Sequence, residues 1–240
     1  MGPRAILHAM SLPAGADHPF FDAPITPRVL RGQWRPRRDA YAAAGLYEQV
    51  RIRIHRALTW LEASEARGAT ELDTQLIEQW VALNALYGRW DAQRREPVAD
   101  SRALGLFVDQ LVASDEDGIL AGFLHRQKDL VMQVFADRYV NRLFWDEPVD
   151  GQRIDHAVFD ARSLLAQGKH ALVVSRLLAR IHFVRCQLVH GGSSYGGRHN
   201  RRAVKRCSVL LRQFTMVALH VMMEHGYADD WGALCYPPVE

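Results

Sequence analysis

Apolar residues recur at intervals of three and four along most of the chain. Tyr47, Val50, Ile54, Leu58 and Leu61 form one stripe, and Leu72, Leu76, Trp80, Leu83, Tyr87 and Trp90 form a second. That period marks helices that bury one face. Gly68 and Thr70 separate the two stripes as a stop and a start, and Pro97 ends the second helix. Leu104, Phe107 and Leu111 predict a short third helix ahead of the acidic turn Ser114–Gly118. Leu120 to Phe144 reads as a fourth, Trp145–Gly151 as a loop holding Pro148, and Ile154 to Ala166 as a short helix ended by Gly168. Two long helices follow, from about Lys169 to Val189 and from about Arg201 to His225. Gly191 and Gly192 stop the first and Gly226 the second, and the glycine-rich polar stretch Gly191–Asn200 joins them.

The first 39 residues carry no such stripe. They hold six of the ten prolines (Pro3, Pro13, Pro19, Pro24, Pro27 and Pro36), which predicts an extended proline-rich arm, partly irregular. Residues 40–226 then form one helical domain, and residues 227–240, with Trp231, Pro237 and Pro238, a C-terminal tail. Leucine is abundant at 27 residues while isoleucine (8) and threonine (5) are scarce, which favours helix over strand. The expected fold is all-α, an antiparallel helical bundle with short connections.

Composition adds exclusions. A chain of 240 residues, 48% hydrophobic and 24% charged, can bury a core without staples. Its three cysteines (Cys186, Cys207 and Cys235) are odd in number and lack C-x-x-C spacing, which argues against a disulfide framework and a cysteine-rich zinc site. No apolar leader opens the sequence and no run approaches the ~18 apolar residues of a membrane span. A cytoplasmic protein with no signal peptide, no membrane contact and no cofactor is expected.

The net charge of +3 conceals a segregation. Residues 161–223 contain no Asp or Glu, but nine Arg (162, 176, 180, 185, 198, 201, 202, 206 and 212) and two Lys (169 and 205). The block is therefore +11, and the rest of the chain, with 19 bases against 27 acids, is −8. Such a block suits phosphate or nucleic acid, or else it packs against the acidic remainder of the same molecule.

Three motifs with catalytic associations fail on context. Gly192-Ser193-Ser194-Tyr195-Gly196 matches G-x-S-x-G, but a helix pattern precedes it and no His follows Asp229 or Asp230, as a hydrolase elbow requires. Gly191 and Gly196 have P-loop spacing, yet Gly197-Arg198 stands where Lys-Ser/Thr is needed. His220, Glu224 and His225 have a spacing that fits no zincin helix.

Arg185 and His190 lie five residues apart where an apolar helix inside the basic block ends at Gly191. The Arg185-x4-His190 pair, its place between two long helices, and the Leu83-Asn84-Ala85-Leu86-Tyr87 and Val184 to Gly192 stretches resemble the HEPN superfamily of small helical bundles, whose hallmark is R-x4-6-H. The resemblance spans at most residues 40–226. Arg176-x5-His182 also fits the pattern, but it sits mid-helix with no turn to bring the two side chains together. Cys186 occupies the position after the arginine, where many members of the superfamily carry a polar residue such as Asn.

The resemblance implies a homodimer that cleaves RNA without a metal, as a toxin or defence effector. Two facing copies of His190 would serve as base for the 2′-OH and acid for the departing 5′-oxygen, leaving a 2′,3′-cyclic phosphate. Arg185 would grip the phosphate. Arg198, Arg201, Arg202, Lys205 and Arg206 are then expected to hold the RNA backbone, with Cys186, Ser193, Ser194 and Tyr195 candidates for lining the cleft. Three other readings stay open. Arg185 and His190 could simply cap a helix end. The domain could bind RNA or a nucleotide without cutting. Its basic face could instead meet an acidic partner such as an antitoxin or a regulatory protein.

Overall fold

The computed structural model describes residues 15–142, 151–198 and 200–237. Nine α-helices run through these residues: α1 (Pro27–Ala43), α2 (Glu48–Glu65), α3 (Leu72–Tyr87), α4 (Asp100–Ser114), α5 (Ile119–Arg126), α6 (Lys128–Phe135), α7 (Gly151–Ala166), α8 (His170–Val189) and α9 (Arg201–Glu224). The only paired strands among the described residues are the short antiparallel β1 (Trp90–Asp91) and β2 (Glu96–Pro97). The fold is thus mostly helical. Among the described residues, no helix is long and apolar enough to cross a membrane.

The two expected stripes form α2 and α3, which pack on each other more extensively than any other pair. Ile54, Leu58 and Leu61 meet Leu76, Trp80 and Leu83 in one continuous core that also takes in α9. α9 is the central element. Fifteen of its residues are buried, including the run Phe214–Leu219, so it is covered on nearly all sides along its second half. α8 packs against α4 and α7 and closes the bundle.

Two helix boundaries are corrected. The second stripe ends at Tyr87, not at Pro97: Gly88 leaves helical geometry (ψ 126°), and the chain turns into the hairpin, with Arg95 left-handed (φ 55°). The helix expected over residues 120–144 is broken at Gln127 (φ −99°, ψ 12°) into α5 and α6, with a 3-10 turn at Arg138–Val140. Its last two residues, and most of the loop expected at 145–151, lie outside the described residues.

The proline-rich arm also differs. Residues 1–14 are outside the described residues, but residues 27–39 belong to α1. Thr26 caps this helix, its hydroxyl accepting from the Val29 amide at 3.2 Å, and Pro27 occupies the first turn, where a missing N–H costs nothing. Leu30 and Trp34, one turn apart, are buried (Trp34 2% exposed). Arg31 forks onto Glu62 of α2 at 2.6 and 2.8 Å. Arg37 donates to the Met223 carbonyl at 3.0 Å and pairs with Glu224 at 2.8 Å. Two buried side chains and these ion pairs outweigh Pro36 inside the helix.

The segment before α1 is anchored by aromatic contacts. Phe20 lies 4.7 Å from the His220 ring of α9 and is buried. Burial holds His220 below its ordinary value of 6.5, helped by His18 and His225 and opposed by Glu224 and Asp117. His170 and His182 shift the same way, again through burial. A histidine held neutral in the fold but free to charge when unfolded contributes stability above the unfolded value, and loses it as pH falls below that value. The melting temperature is therefore expected to drop between about pH 7 and about pH 5, and His220→Phe to flatten that slope. An unchanged slope in the variant would assign the acid sensitivity elsewhere.

The C-terminal tail is part of the core. Trp231 is 2% exposed, its indole donating to the Gly226 carbonyl at 2.7 Å, and Leu234 bridges to Arg89. Arg53 of α2, fully buried, donates to the carbonyls of Leu86 (3.0 Å), Gly88 (2.7 Å) and Gly232 (2.9 Å). One guanidinium thus ties the end of α3 to the tail. Burial pushes its pKa down to about 10.

Candidate nucleic-acid interface

α8 ends as its glycines predict. His190 is the C-cap, Gly191 is left-handed (φ 72°), and the amides of Gly191 and Gly192 return to the carbonyls of Leu188 (3.2 Å) and Gln187 (2.7 Å). This paired closure is the Schellman arrangement, which only a residue tolerant of positive φ enters cheaply. It fixes where the loop 191–200 leaves the helix.

The loop then folds onto α3. Asp73, nearly buried, accepts from Arg201 at 2.8 and 3.1 Å and from the Gly196 amide at 2.8 Å. Arg201 also donates to the Gly197 carbonyl at 3.1 Å. One carboxylate therefore shapes the turn and sets the start of α9. Asp73→Asn is expected to cost about 2 kcal/mol and to speed amide exchange at Gly196. Unaltered exchange there would mean the loop is held by other contacts.

Between this loop and residues 133–139 lies a cleft of about 970 Å3. Arg138, Arg198, Arg201, Arg202 and Arg206 line it, with Asp137, Gln133, Tyr139, Ser193 and Ser194. The arginines differ in what holds them. Arg201 is committed to Asp73. Arg206 lies 3.6 Å from Asp137. Arg138 rests on the Tyr139 ring. Arg198 and Arg202 are exposed and make no ion pair among the described residues.

The local backbone adds to this positive field. α9 begins at the cleft, its N-cap Asn200 provides no side-chain cap, and no acidic residue sits in its first turn. Arg201, Arg202, Lys205 and Arg206 instead crowd the positive end of the helix dipole. That arrangement opposes helix formation unless an anion offsets it. Part of the basic block is neutralised internally: Arg176 pairs with Asp160, Arg212 with Glu65, and Arg201 and Arg206 as above. Of the rest of the block, Arg198 and Arg202 line the cleft.

The other residues singled out in the sequence are spread around it. Ser193 and Ser194 line the cleft, whereas Tyr195 is 70% exposed beside it and Lys205 lies on the exposed face of α9. His190 is exposed at the helix end next to Gly192, which lines the cleft. Arg185 is half-buried one and a half turns earlier, about 140° around the axis. Its guanidinium lies 4.0 Å from Cys186 Sγ, and its charge is felt by Tyr87 and His182. Among the described residues Arg185 and His190 share no hydrogen bond. Cys186 faces a second cavity together with His182.

Arg138, Gln133 and Tyr139 form the opposite wall of the cleft and carry no signal in the sequence. A lone arginine after a helix of alternating polarity looks like any surface residue. His220, Glu224 and His225 do not converge: His220 packs on Phe20, Glu224 pairs with Arg37, and His225 with Asp117 at 2.8 Å. Compared with models of known families, with curated proteins and with solved structures, the chain matches none of them.

Proposed function

We propose that this protein binds RNA in the arginine cleft and cleaves it without a metal, in the manner of the HEPN superfamily that its Arg185-x4-His190 pair resembles. The observation that carries the reading is the cleft itself. Five arginines, two of them without an ion pair among the described residues, converge on the uncapped start of α9, and the helix end bearing His190 lies beside them. Several arginines along one cleft suit a run of phosphates rather than one. His190, exposed at the end of α8, supplies the proton-transfer group for a bound 2′-OH or 5′-oxygen. In this reading a second copy of the chain completes the site, so that two Arg185 and His190 pairs face one cleft. Light scattering at micromolar concentration is expected to give the mass of a dimer, and a monomer there would remove the two-histidine cleft.

The direct test is incubation of single-stranded RNA with the purified protein in EDTA. The expected products end in a 2′,3′-cyclic phosphate and a 5′-OH. A second reading is favoured by the position of Arg185, held against Cys186 and facing Tyr87 and His182 rather than His190. In that reading the domain binds RNA and does not cut it. Salt-sensitive binding with intact RNA would select it. No binding at low salt would remove both, and would leave the basic face to an acidic protein partner.

A further inference from the structure

A second cavity, of about 570 Å3, lies between α4 and α8 and is bounded by residues 140–142. α8 presents Ser175, Ala179, His182 and Cys186 to it, four residues that recur along one helix face over about 16 Å. Its volume is that of a small-molecule site. Most of the wall is apolar, from Trp80, Leu104, Val140 and Phe183.

Arg180 also lines this cavity. Its guanidinium lies 4.3 Å over the Phe135 ring, its Nε is buried without a hydrogen-bond partner, and no carboxylate pairs with it among the described residues. Burial pushes its pKa down to about 10, and the neighbouring charge that acts on it is the like-charged Arg176. A cation so withdrawn from water is costly unless an anion meets it. The acidic residue in the lining, Asp100, lies on the side of Tyr87 and His182 instead. On that side the His182 ring lies tilted at 5.1 Å from Trp80, and its Nε2 is 3.5 Å from Cys186 Sγ.

We propose that this cavity binds an amphiphilic carboxylate, its head on Arg180 and its apolar body against Trp80, Leu104, Val140 and Phe183. The ligand's tail then runs along the α8 face toward Cys186, which it covers. This site is separate from the arginine cleft, since the turn at 138–140 stands between them, and it does not depend on the RNA reading.

Calorimetric titration of the full chain with decanoate tests the proposal, with decanol as the uncharged probe. Decanoate is expected to bind, and decanol to bind at least about ten-fold more weakly. Arg180→Met keeps the packing volume and removes the charge, so it should bring decanoate down to the level of decanol. Gly105→Phe provides a variant that leaves the arginine in place. Gly105 lies on α4 in the lining, with open space where a Cβ would go, so a phenyl ring there is expected to fill the cavity and abolish binding without unfolding the chain. Decanoate should also slow alkylation of Cys186 by iodoacetamide, read by mass spectrometry, without slowing that of Cys235 in the tail. No heat with wild-type protein, equal binding of decanol, an unaffected Arg180→Met variant or unprotected Cys186 would each overturn the proposal.

Discussion

Arg53→Met is expected to lower the unfolding free energy by about 3–5 kcal/mol, among the largest losses any single substitution in this chain should cause. The side chain is fully buried and makes three short charge-assisted bonds to carbonyls from two separate segments. Methionine fills much of the volume but leaves those carbonyls without a donor. Two carbonyls end α3 and the third belongs to the tail, so the damage should begin there. Amides of residues 226–236 should lose exchange protection before those of α2 and α3 do. For a chain of this length the change corresponds to a fall of about 10 °C in melting temperature. Arg53→Lys should recover little, because one ammonium cannot span both sides of the contact. A melt within a degree or so of wild type would show that water takes over these carbonyls at low cost.

The same residue illustrates what the sequence conceals. The stripe on α2 was legible because Val50, Ile54, Leu58 and Leu61 repeat with the helix. Arg53 breaks that stripe and reads as a surface charge, because its partners are backbone carbonyls and lie as far away as Gly232. The tail looked loose for the same reason. α1 was hidden by composition: prolines at 27 and 36 argue against a helix one by one, yet Pro27 sits where proline is favoured. Leu30 and Trp34 were too short a stripe to outweigh them. The helix end at Gly191 was legible, since a left-handed stop needs glycine in the chain itself. Half of the arginine cleft was legible too, as the charge block at 198–206. Its other wall, around Arg138, comes from the fold alone. The block's full +11 overstated the site, because Asp73, Asp137, Asp160 and Glu65 from the acidic remainder return to four of its arginines.

His190→Ala is expected to reduce RNA cleavage at least about 100-fold while leaving RNA affinity within about two-fold of wild type. Loss of a proton-transfer group acts on turnover, whereas His190 lies outside the arginine lining and adds little to holding phosphate. Arg198→Ala with Arg202→Ala should do the opposite. These side chains are exposed and make no ion pair among the described residues, and their loss should raise KM about ten-fold with kcat nearly kept. Arg185→Ala should follow His190→Ala in turnover but also destabilise the turn of α8 near Tyr87. That separates it from His190 by its melting temperature. If His190→Ala cleaves as wild type does, cleavage belongs elsewhere or to a contaminant.

The claim on which these readings converge is that RNA backbone lies in the cleft between residues 133–139 and 192–206. The salt dependence of binding to a single-stranded RNA measures it most directly. Wild-type affinity should fall steeply with salt, and the Arg198→Ala, Arg202→Ala double variant should lose about 1.4 from the slope of log affinity against log salt, as expected for two released phosphate contacts. A slope and an affinity that both match wild type would contradict the account.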